Sequence, residues 1–460
     1  MKIKLSELGA IKEGNIDLSK KLNIFCGPNG TGKTYVAYAI YGMLKTDFHF
    51  GSNRDVIKSL IETKKATYKF DFKVLNSYRD EILISFKDDL DTLFGVSQDF
   101  IKLNFHNTDI NYVEKHDELN EKLVQSEFKI SANFGKIDIE IVKIKNDNFV
   151  SIEILDKTIS NKDIERLDVF FYSSLISILA KYPVSSTFIL PVERNSIFTF
   201  SKELSIRKQE AVDHFHAMTS KEKVNRFDLF FSSTKRYPLP IRDGLIIADD
   251  LAEIKKYKSD FYDFALEIED NLLNGKLEID NLGELKFKPN KSPKKALPIH
   301  MTASIVKSLS SLVVYLKHIA KDNDLVIIDE PEINLHPDNQ IILTRLFAKL
   351  INKGFRLLIS THSDYVVREI NNLIMLSNQK MKATAKEFGY DSNEFINYDD
   401  VDIHYFDYPK KLRGNKQVTI NKLELDLSGF EIPSVNITIN NQNNISEELF
   451  YKLKYSDDEE

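Results

Sequence analysis

The sequence predicts an α/β fold with an antiparallel β subdomain and an inserted, mainly helical segment. Near both ends of the chain, apolar strands lead into glycine-rich or acidic segments and then into helix-like runs, which is typical of parallel α/β units. Between them, residues 66–156 contain segments in which polar and apolar residues alternate, as in half-buried antiparallel strands. Residues 201–274 instead carry apolar residues at helical spacing, and this pattern stops at Gly275.

The chain has 460 residues, more than one compact core usually holds. We therefore predict two α/β lobes, residues 1–200 and 297–460, separated by a mainly helical insertion or arm at residues 201–296. The first lobe contains the antiparallel subdomain.

The individual elements follow from short-range patterns. Continuous apolar runs predict strands, apolar residues three or four apart predict helices, and period-two alternation predicts half-buried strands. The Asn-rich run 436–444 and the acidic tail 457–460 are expected to be irregular. The predicted strands are 22–26, 67–72, 81–86, 136–142, 187–190, 325–328 and 356–360, and the predicted helices outside the insertion are 35–44, 306–320 and 340–351.

Composition limits the class of protein. Hydrophobic residues make up 42% of the chain, enough for a folded core, and the single cysteine, Cys26, excludes an internal disulfide. The single cysteine also favours a reducing, cytoplasmic location. No membrane partner is expected, because no apolar run approaches the length of a membrane-spanning helix. The net charge of −6 excludes a uniformly basic nucleic-acid coat but leaves room for a local basic patch. Candidates for that patch are Lys410, Lys411, Arg413 and Lys416.

A glycine-rich segment, Gly27-Pro28-Asn29-Gly30-Thr31-Gly32-Lys33-Thr34, lies between a predicted strand and a predicted helix. Glycines at this spacing let successive backbone N–H groups turn inward around phosphate oxygens, and the following helix N-terminus adds positive potential. Lys33 would neutralise phosphate charge, and Thr34 would offer its hydroxyl to Mg²⁺. The predicted nucleotide-binding residues are Asn29, Gly30, Gly32, Lys33 and Thr34.

Two acidic residues, Asp329 and Glu330, follow the apolar strand Leu325–Ile328. A buried parallel strand delivers its last residues to the carboxyl edge of the sheet, beside the phosphate-binding loop. Asp329 is then placed to hold the Mg²⁺ shell, and Glu330 to accept a proton from an attacking water. Without the loop, two solvated acids at a strand end would be the better interpretation.

His362, in Ser360-Thr361-His362-Ser363, follows the next predicted strand. A lone histidine is more often structural than functional. Here one helix and one strand separate it from Glu330, so both residues are expected at the same sheet edge. A neutral imidazole at that edge can hydrogen-bond the γ-phosphate.

Ser304 precedes an amphipathic helix that begins near Val306. One interpretation makes Ser304 the N-cap of that helix. The other has the helix N-terminus directed at the γ-phosphate of nucleotide bound by a second subunit. Spacing alone leaves both open.

Together these motifs resemble those of ABC-type P-loop ATPase heads labelled "AAA family", which are shared by overcoming-lysogenization-defect proteins and, more distantly, by chromosome-maintenance and recombination-repair ATPases. The resemblance covers roughly residues 1–44 and 298–376, with a looser match at 188–194. It implies ATP and Mg²⁺ as ligands. The matching segments are Gly27 to Thr34, Ile327-Ile328-Asp329-Glu330-Pro331-Glu332, Asn334-Leu335-His336-Pro337 and Ser360-Thr361-His362-Ser363-Asp364.

In such heads two copies enclose two ATP molecules, and each phosphate-binding loop faces a signature serine of the partner. Ser304 is the matching position, but Ile305 replaces the usual glycine after it. No clear match exists for the glutamine that usually links Mg²⁺ to the antiparallel sheet, and Glu193 and Asn195 are weak candidates. Residues 334–336 match the segment that crosses the dimer interface.

The resemblance extends to ATPase subunits of bacterial anti-phage systems of the PARIS and Septu types. It implies a homo-oligomeric sensor and scaffold, triggered by a phage protein or by DNA, that controls a separate nuclease or toxin effector. A nuclease within this chain is not expected, because Asp400-Val401-Asp402 alone is a weak match to a Toprim site.

Other functions remain open. A DNA-repair ATPase that clamps DNA would use a local basic patch. A scaffold that binds ATP without useful turnover would be consistent with Ile305. A transporter ATPase is disfavoured by the long insertion and by residues 334–337.

Overall fold

The computed structural model describes residues 1–49, 51–134, 137–156, 160, 168–199, 237–290, 295–408 and 417–455. The basic candidates at 410–416 and the acidic tail 457–460 lie outside the described residues, as does most of the first part of the insertion, 201–236. The strands are β1 (Lys2–Leu8), β2 (Ile11–Asp17), β3 (Leu22–Cys26), β4 (Lys65–Lys69), β5 (Asp109–Tyr112), β6 (Phe128–Phe134), β7 (Ile137–Lys143), β8 (Phe149–Ile154), β9 (Thr187–Leu190), β10 (Gly275–Ile279), β11 (Leu285–Pro289), β12 (Leu297–Pro298), β13 (Leu325–Asp329), β14 (Arg356–Ser360), β15 (Val401–Asp407) and β16 (Val418–Lys422).

Helices connect these strands, and a π-helical turn, Glu269–Leu273, follows one of them. Short 3-10 turns lie at Ile299–Met301, Gln379–Met381, Ser392–Glu394 and Tyr398–Asp400. The α-helices are α1 (Lys33–Lys45), α2 (Arg54–Thr63), α3 (Phe72–Asp88), α4 (Leu90–Phe94), α5 (Gln98–Asn104), α6 (His116–Gln125), α7 (Asp168–Ala180), α8 (Leu239–Asp249), α9 (Leu251–Ile254), α10 (Tyr262–Ile268), α11 (Ser304–His318), α12 (Pro337–Asn352), α13 (Asp364–Leu376), α14 (Lys382–Glu387) and α15 (Pro433–Tyr455).

A nine-stranded sheet forms the centre of the molecule, in the order β5-β1-β2-β16-β15-β3-β14-β13-β9. The five strands from β15 to β9 run parallel to one another. At the other end, β1 pairs antiparallel with both β2 and β5, and β16 pairs antiparallel with β15. The predicted α/β fold, with a parallel part and an antiparallel part, is confirmed.

Two hydrophobic cores cover the two faces of this sheet. In β13, Leu325 and Ile327 belong to the first core, and Val326 and Ile328 belong to the second. Helix α1 packs in the first core, whereas α11, α12 and α13 pack in the second. A strand covered on both faces has no solvent-facing positions, and this is why β13 reads as a continuous apolar run.

A separate four-stranded antiparallel sheet, β4-β8-β7-β6, packs into the first core. The predicted strands 67–72 and 136–142 correspond approximately to β4 and β7. The predicted strand 81–86 is wrong, because these residues lie within α3. Buried residues at 75, 78, 82 and 86 are three or four positions apart, and the Asp71 side chain caps the helix by accepting from the backbone N–H of Lys73 and Val74.

Residues 251–287 extend the second core, whereas Leu245 and Ala248 of α8 form a small separate cluster with Ile197. Helices α8 to α10 and the π-helical turn account for the predicted helical pattern as far as the chain is described, and β10 begins at Gly275. Phe261 and Phe264 pack in the second core with α11. An antiparallel sheet, β10-β11-β12, follows, and its strands β10 and β11 lie within the segment 201–296 that was expected to be mainly helical. The boundaries 201–296 remain a prediction.

The Asn-rich run 436–444 is not irregular, contrary to prediction, but lies within the 23-residue helix α15. Proline at the first position of a helix favours initiation, and the unfavourable propensity of asparagine is too small to prevent a helix. Among the described residues, none of the helices combines the length and apolar character needed to span a bilayer.

Candidate nucleotide-binding site

The strand register brings the predicted site residues to one sheet edge. Asp329 at the end of β13 is level with Ser360 at the end of β14, and Ser360 is level with Phe25 in β3. Leu190 of β9 is level with Ile328. The phosphate-binding loop, the two acids and the histidine loop therefore all leave the sheet at the same carboxyl edge, where ligands bind in open α/β sheets.

The phosphate-binding loop depends on glycines with left-handed backbone. The φ angles of Gly27, Gly30 and Gly32 are 130°, 74° and 89°. A Cβ at Gly27 would lie 2.2 Å from the carbonyl oxygen of Phe406, so only glycine fits there. Helix α1 follows directly, and no side chain caps its N-terminus, which leaves its first N–H groups available for an anion.

Lys33 lies folded over this loop. Its Nζ donates to the carbonyl oxygens of Gly27 at 3.0 Å and Pro28 at 2.9 Å. Burial lowers the pKa of Lys33, and the negative charges of Asp329 and Glu330 partly oppose this effect. Phosphate oxygens would complete the solvation of this ammonium group better than two carbonyls do.

Asp329 is 1% exposed and accepts hydrogen bonds on both carboxylate oxygens. Thr34 Oγ1 donates to Oδ2 at 2.7 Å, and Ser360 Oγ donates to Oδ1. A carboxylate beside a hydroxyl is the donor chemistry that Mg²⁺ prefers in nucleotide sites. Asn195, the neighbour of Arg194 in the chain, has a buried side-chain oxygen without a hydrogen-bond partner in the described part of the chain. The residues present therefore fit Mg²⁺.

Glu330 has a left-handed backbone, with φ of 49°, which is uncommon for a residue with a side chain. Burial and the nearby charge of Asp329 raise the pKa of Glu330, which brings it closer to that of an effective general base at neutral pH. Its Oε1 lies 3.8 Å from His362 Nε2. Glu330 and His362 are thus brought together as predicted.

His362 is half-buried, and burial together with the charge of Lys33 lowers its pKa. Its imidazole is therefore neutral at physiological pH and can serve as donor or acceptor to a phosphate oxygen. The backbone N–H of His362 donates to Glu332 Oε1 at 2.7 Å, and Thr361 Oγ1 donates to the same oxygen at 2.9 Å. Through these two hydrogen bonds, Glu332 connects the loop that carries Thr361 and His362 to the segment after β13.

Arg194 is the site residue that the sequence motifs did not assign. It is 2% exposed, and its guanidinium donates to the carbonyl oxygens of Asp329 and Glu330, both at 2.7 Å. Ser360 Oγ accepts from Glu330 N at 3.0 Å. Hydrogen bonds at both the N–H and the carbonyl oxygen of Glu330 therefore hold this residue in its left-handed conformation, which makes Arg194 a positioning residue for Glu330. The only sequence signal was the loose match at 188–194.

We expect Arg194→Lys to lower kcat for ATP about tenfold or more while changing ATP affinity little. Lysine keeps the charge but lacks the rigid fork that bridges two carbonyls, and small displacements of a catalytic group are costly. Steady-state phosphate release and nucleotide titration measure the two quantities. The matched control is Arg79→Lys. Arg79 is also 2% exposed, but its guanidinium donates a hydrogen bond to the carbonyl oxygen of Ala180. Unchanged kcat in Arg194→Lys would contradict the assignment.

Ser304 is exposed and is the first residue of α11, whose N-cap is Ala303 without a side-chain hydrogen bond. The N-cap interpretation of Ser304 is therefore wrong. Its hydroxyl instead lies 3.5 Å from the carbonyl oxygen of Asn334. Within the described residues, no hydrogen bond joins Ser304 to the phosphate-binding loop.

The fold and the site define an α/β P-loop ATPase. The "AAA ATPase domain" family matches residues 1–367, most of the chain. The protein belongs to this family, which implies ATP binding.

Solved structures similar to this chain include several SMC heads. The Smc head bound to the C-winged helix domain of ScpA is 13% identical, with a TM-score of 0.33, over 92% of this chain and 98% of that one. The SMC head domain from Thermotoga maritima has 13% identity, a TM-score of 0.30 and the same coverage. The Pyrococcus furiosus Smc head with an extended coiled coil, bound to the C-terminal domain of ScpA, has 13% identity and a TM-score of 0.33, over 97% of this chain and 98% of that one. A search of curated proteins gives no significant match.

Proposed function

We propose that this protein hydrolyses Mg-ATP as a homo-oligomer and controls a separate nuclease or toxin effector in bacterial anti-phage defence. The observation that carries the ATPase assignment is the convergence of Lys33, Thr34, Asp329, Glu330 and His362 at one sheet edge. The defence role is supported by the resemblance of the motif set to ATPase subunits of such systems.

Each residue has a distinct part in the proposed reaction. Lys33 and the N-terminus of α1 stabilise negative charge on the phosphates, and Thr34 and Asp329 would hold Mg²⁺, which neutralises phosphate charge when bound. Glu330 accepts the proton of a water whose oxygen attacks the γ-phosphorus as the bond to the ADP oxygen breaks. His362, being neutral, hydrogen-bonds the γ-phosphate without adding charge.

A composite site between two copies is supported by the surface around Ser304. Ser304 and Asn334 are neighbours, both are exposed, and His336 nearby is exposed as well. Met301, three residues before Ser304, is an exposed apolar side chain at 65%. These are the segments that the family resemblance places opposite a partner's nucleotide.

Mixing Ser304→Arg and Lys33→Ala chains should restore ATPase activity that neither variant has alone. Each mixed dimer would contain one composite site in which both the loop and the serine are intact. With random pairing at equal amounts, about a quarter of wild-type activity is expected. Phosphate release by each variant and by the mixture measures it.

Two controls accompany this mixture. Ser428→Arg, a change of the same kind at an exposed serine elsewhere, should leave activity intact. A chain carrying both Ser304→Arg and Lys33→Ala should restore nothing when mixed with either single variant. Mixed dimers that form but remain inactive would argue against a composite site.

Plating of phage on cells that carry this gene with its genomic neighbours tests the defence role. Protection is expected with the wild-type chain and not with Lys33→Ala. Autonomous ATP-dependent DNA cleavage by the purified chain would contradict control of a separate effector.

A further inference from the structure

Among the described residues, the contacts of the C-terminal helix α15 with the body lie at its start. Ile432, just before it, is 3% exposed, and Asn371 holds Phe430 by accepting from its N–H and donating to its carbonyl oxygen. Val435 packs against the second core. From residue 440 to residue 454, every residue is exposed. The second half of the helix thus projects from the body with its side chains exposed.

Large apolar side chains occupy one side of this projecting half. Ile445, Leu449, Phe450 and Leu453 are 51%, 63%, 58% and 80% exposed. At about 100° per residue these four positions fall within an arc of roughly 140°, whereas most asparagines fall outside it. Soluble proteins rarely leave a contiguous apolar strip of this kind exposed unless it is an interaction site.

The helix also needs stabilisation that its own sequence does not supply. Five asparagines lie between residues 436 and 444, and asparagine has poor helix propensity. The projecting half, residues 440–454, is close to the length below which isolated helices are marginal in water, and most helical stability in proteins comes from packing of an apolar face. A partner that covers the strip would provide that packing.

The charged residues beside the strip indicate which partner fits. Glu448 and Lys452 lie on one flank, and Glu447 and Lys454 lie on the other. Both pairs are centred near Phe450. When two copies of the helix run antiparallel about that centre, each glutamate lies opposite a lysine of the other copy on both flanks. In a parallel, in-register pair, glutamates would be level with glutamates and lysines with lysines.

We propose that α15 is a homodimerisation helix, which pairs antiparallel with α15 of a second copy around Phe450. The two glutamates and two lysines cancel in charge, which disfavours binding to an anionic membrane surface. This contact does not rest on the proposed function, because it requires neither ATP nor the surface around Ser304. It goes beyond the composite site by providing a second, nucleotide-independent self-association surface.

The mass of the full-length chain in solution, measured by light scattering without nucleotide, tests the pairing. Wild type should be a dimer, and Leu449→Glu with Leu453→Glu should give a monomer with an unchanged circular dichroism spectrum of the body. The control Leu282→Glu changes a leucine that is 82% exposed elsewhere and should remain dimeric. A monomeric wild type, or a dimer that survives the helix variants, would overturn the proposal.

Charge reversal makes the test specific for a second copy. Glu447→Lys with Glu448→Lys, and separately Lys452→Glu with Lys454→Glu, should each weaken the dimer at least about tenfold, because like charges then face each other. Mixing the two variants should restore dimers. Failure of the mixture to associate, or flotation of the wild type with phosphatidylcholine–phosphatidylglycerol vesicles, would count against pairing with a second copy.

Cysteine cross-linking tests the orientation. Cys26 is buried and can stay in every variant. In the antiparallel arrangement, Phe450→Cys should form an intermolecular disulfide, because position 450 faces its own copy. Ser446→Cys should not, because it would lie about 12 Å along the axis from its own copy, beyond disulfide reach. Cross-linking at 446 would show a parallel pair. Failure of these tests would leave the result of the mixing experiment at Ser304 and Lys33 unaffected. The α15 pairing and the composite nucleotide site can therefore be disproved independently.

Discussion

Replacing Glu330 with glutamine is expected to lower kcat for ATP about a hundredfold or more while leaving ATP binding nearly unchanged. Glutamine has almost the same shape but cannot take a proton from water, and loss of a positioned general base typically costs 10²- to 10⁴-fold. Arg194 and Ser360 bind the backbone carbonyl and the backbone N–H of residue 330, not its side chain. The left-handed conformation of this residue should therefore persist in the variant. Phosphate release and equilibrium nucleotide binding measure the two effects.

Glu253→Gln provides the matched control, because Glu253 is exposed on α9 and forms its ion pair with Lys256 of the same segment. Its kcat should stay within about twofold of wild type, as is usual for surface substitutions. Should Glu330→Gln hydrolyse ATP at the normal rate, Glu330 would not be the general base.

Replacing Lys33 with alanine is expected to weaken Mg-ATP binding about 10- to 100-fold, in line with the loss of one hydrogen bond to a charged group. The folded chain should tolerate this change, because the buried ammonium carries a desolvation cost that its lowered pKa reflects. Calorimetric titration of Mg-ATP gives the affinity, and thermal unfolding without nucleotide checks the fold.

Lys45→Ala is the control for Lys33→Ala, since Lys45 lies in the last turn of the same helix and its side chain is half exposed. ATP affinity should not change in this variant. An equal loss of affinity in both variants would mean that general charge, rather than contact with phosphate, determines binding.

Much of the site followed from the sequence because parallel strands end at a common edge. Asp329 and Glu330 come directly after a continuous apolar run, and His362 follows a second run after Ser360 and Thr361. Such runs predict strands reliably where both faces of the strand are buried. The phosphate-binding loop was predictable because its glycines are required by local backbone geometry.

Features that depend on long-range contacts could not be predicted in this way. Arg194 contacts the end of β13 across about 135 residues of chain, and apart from the loose match at 188–194 nothing in the nearby sequence distinguishes it from a surface arginine. The left-handed backbone of Glu330 has no sequence signal. The apolar residues of segment 81–86 are compatible with both a strand and a helix. Capping by Asp71 and tertiary packing favour the helix.

The order of strands in the central sheet has a consequence for the timing of synthesis. β3, which carries the phosphate-binding loop, lies between β14 and β15, whose residues are translated more than 300 positions later. Ile11 in β2 likewise pairs with Val418 in β16. A strand can pair only after its neighbouring strands have emerged from the ribosome, and pairing between segments that are distant in sequence is slow. The strands on both sides of the phosphate-binding loop are therefore in place only after β15 has been translated.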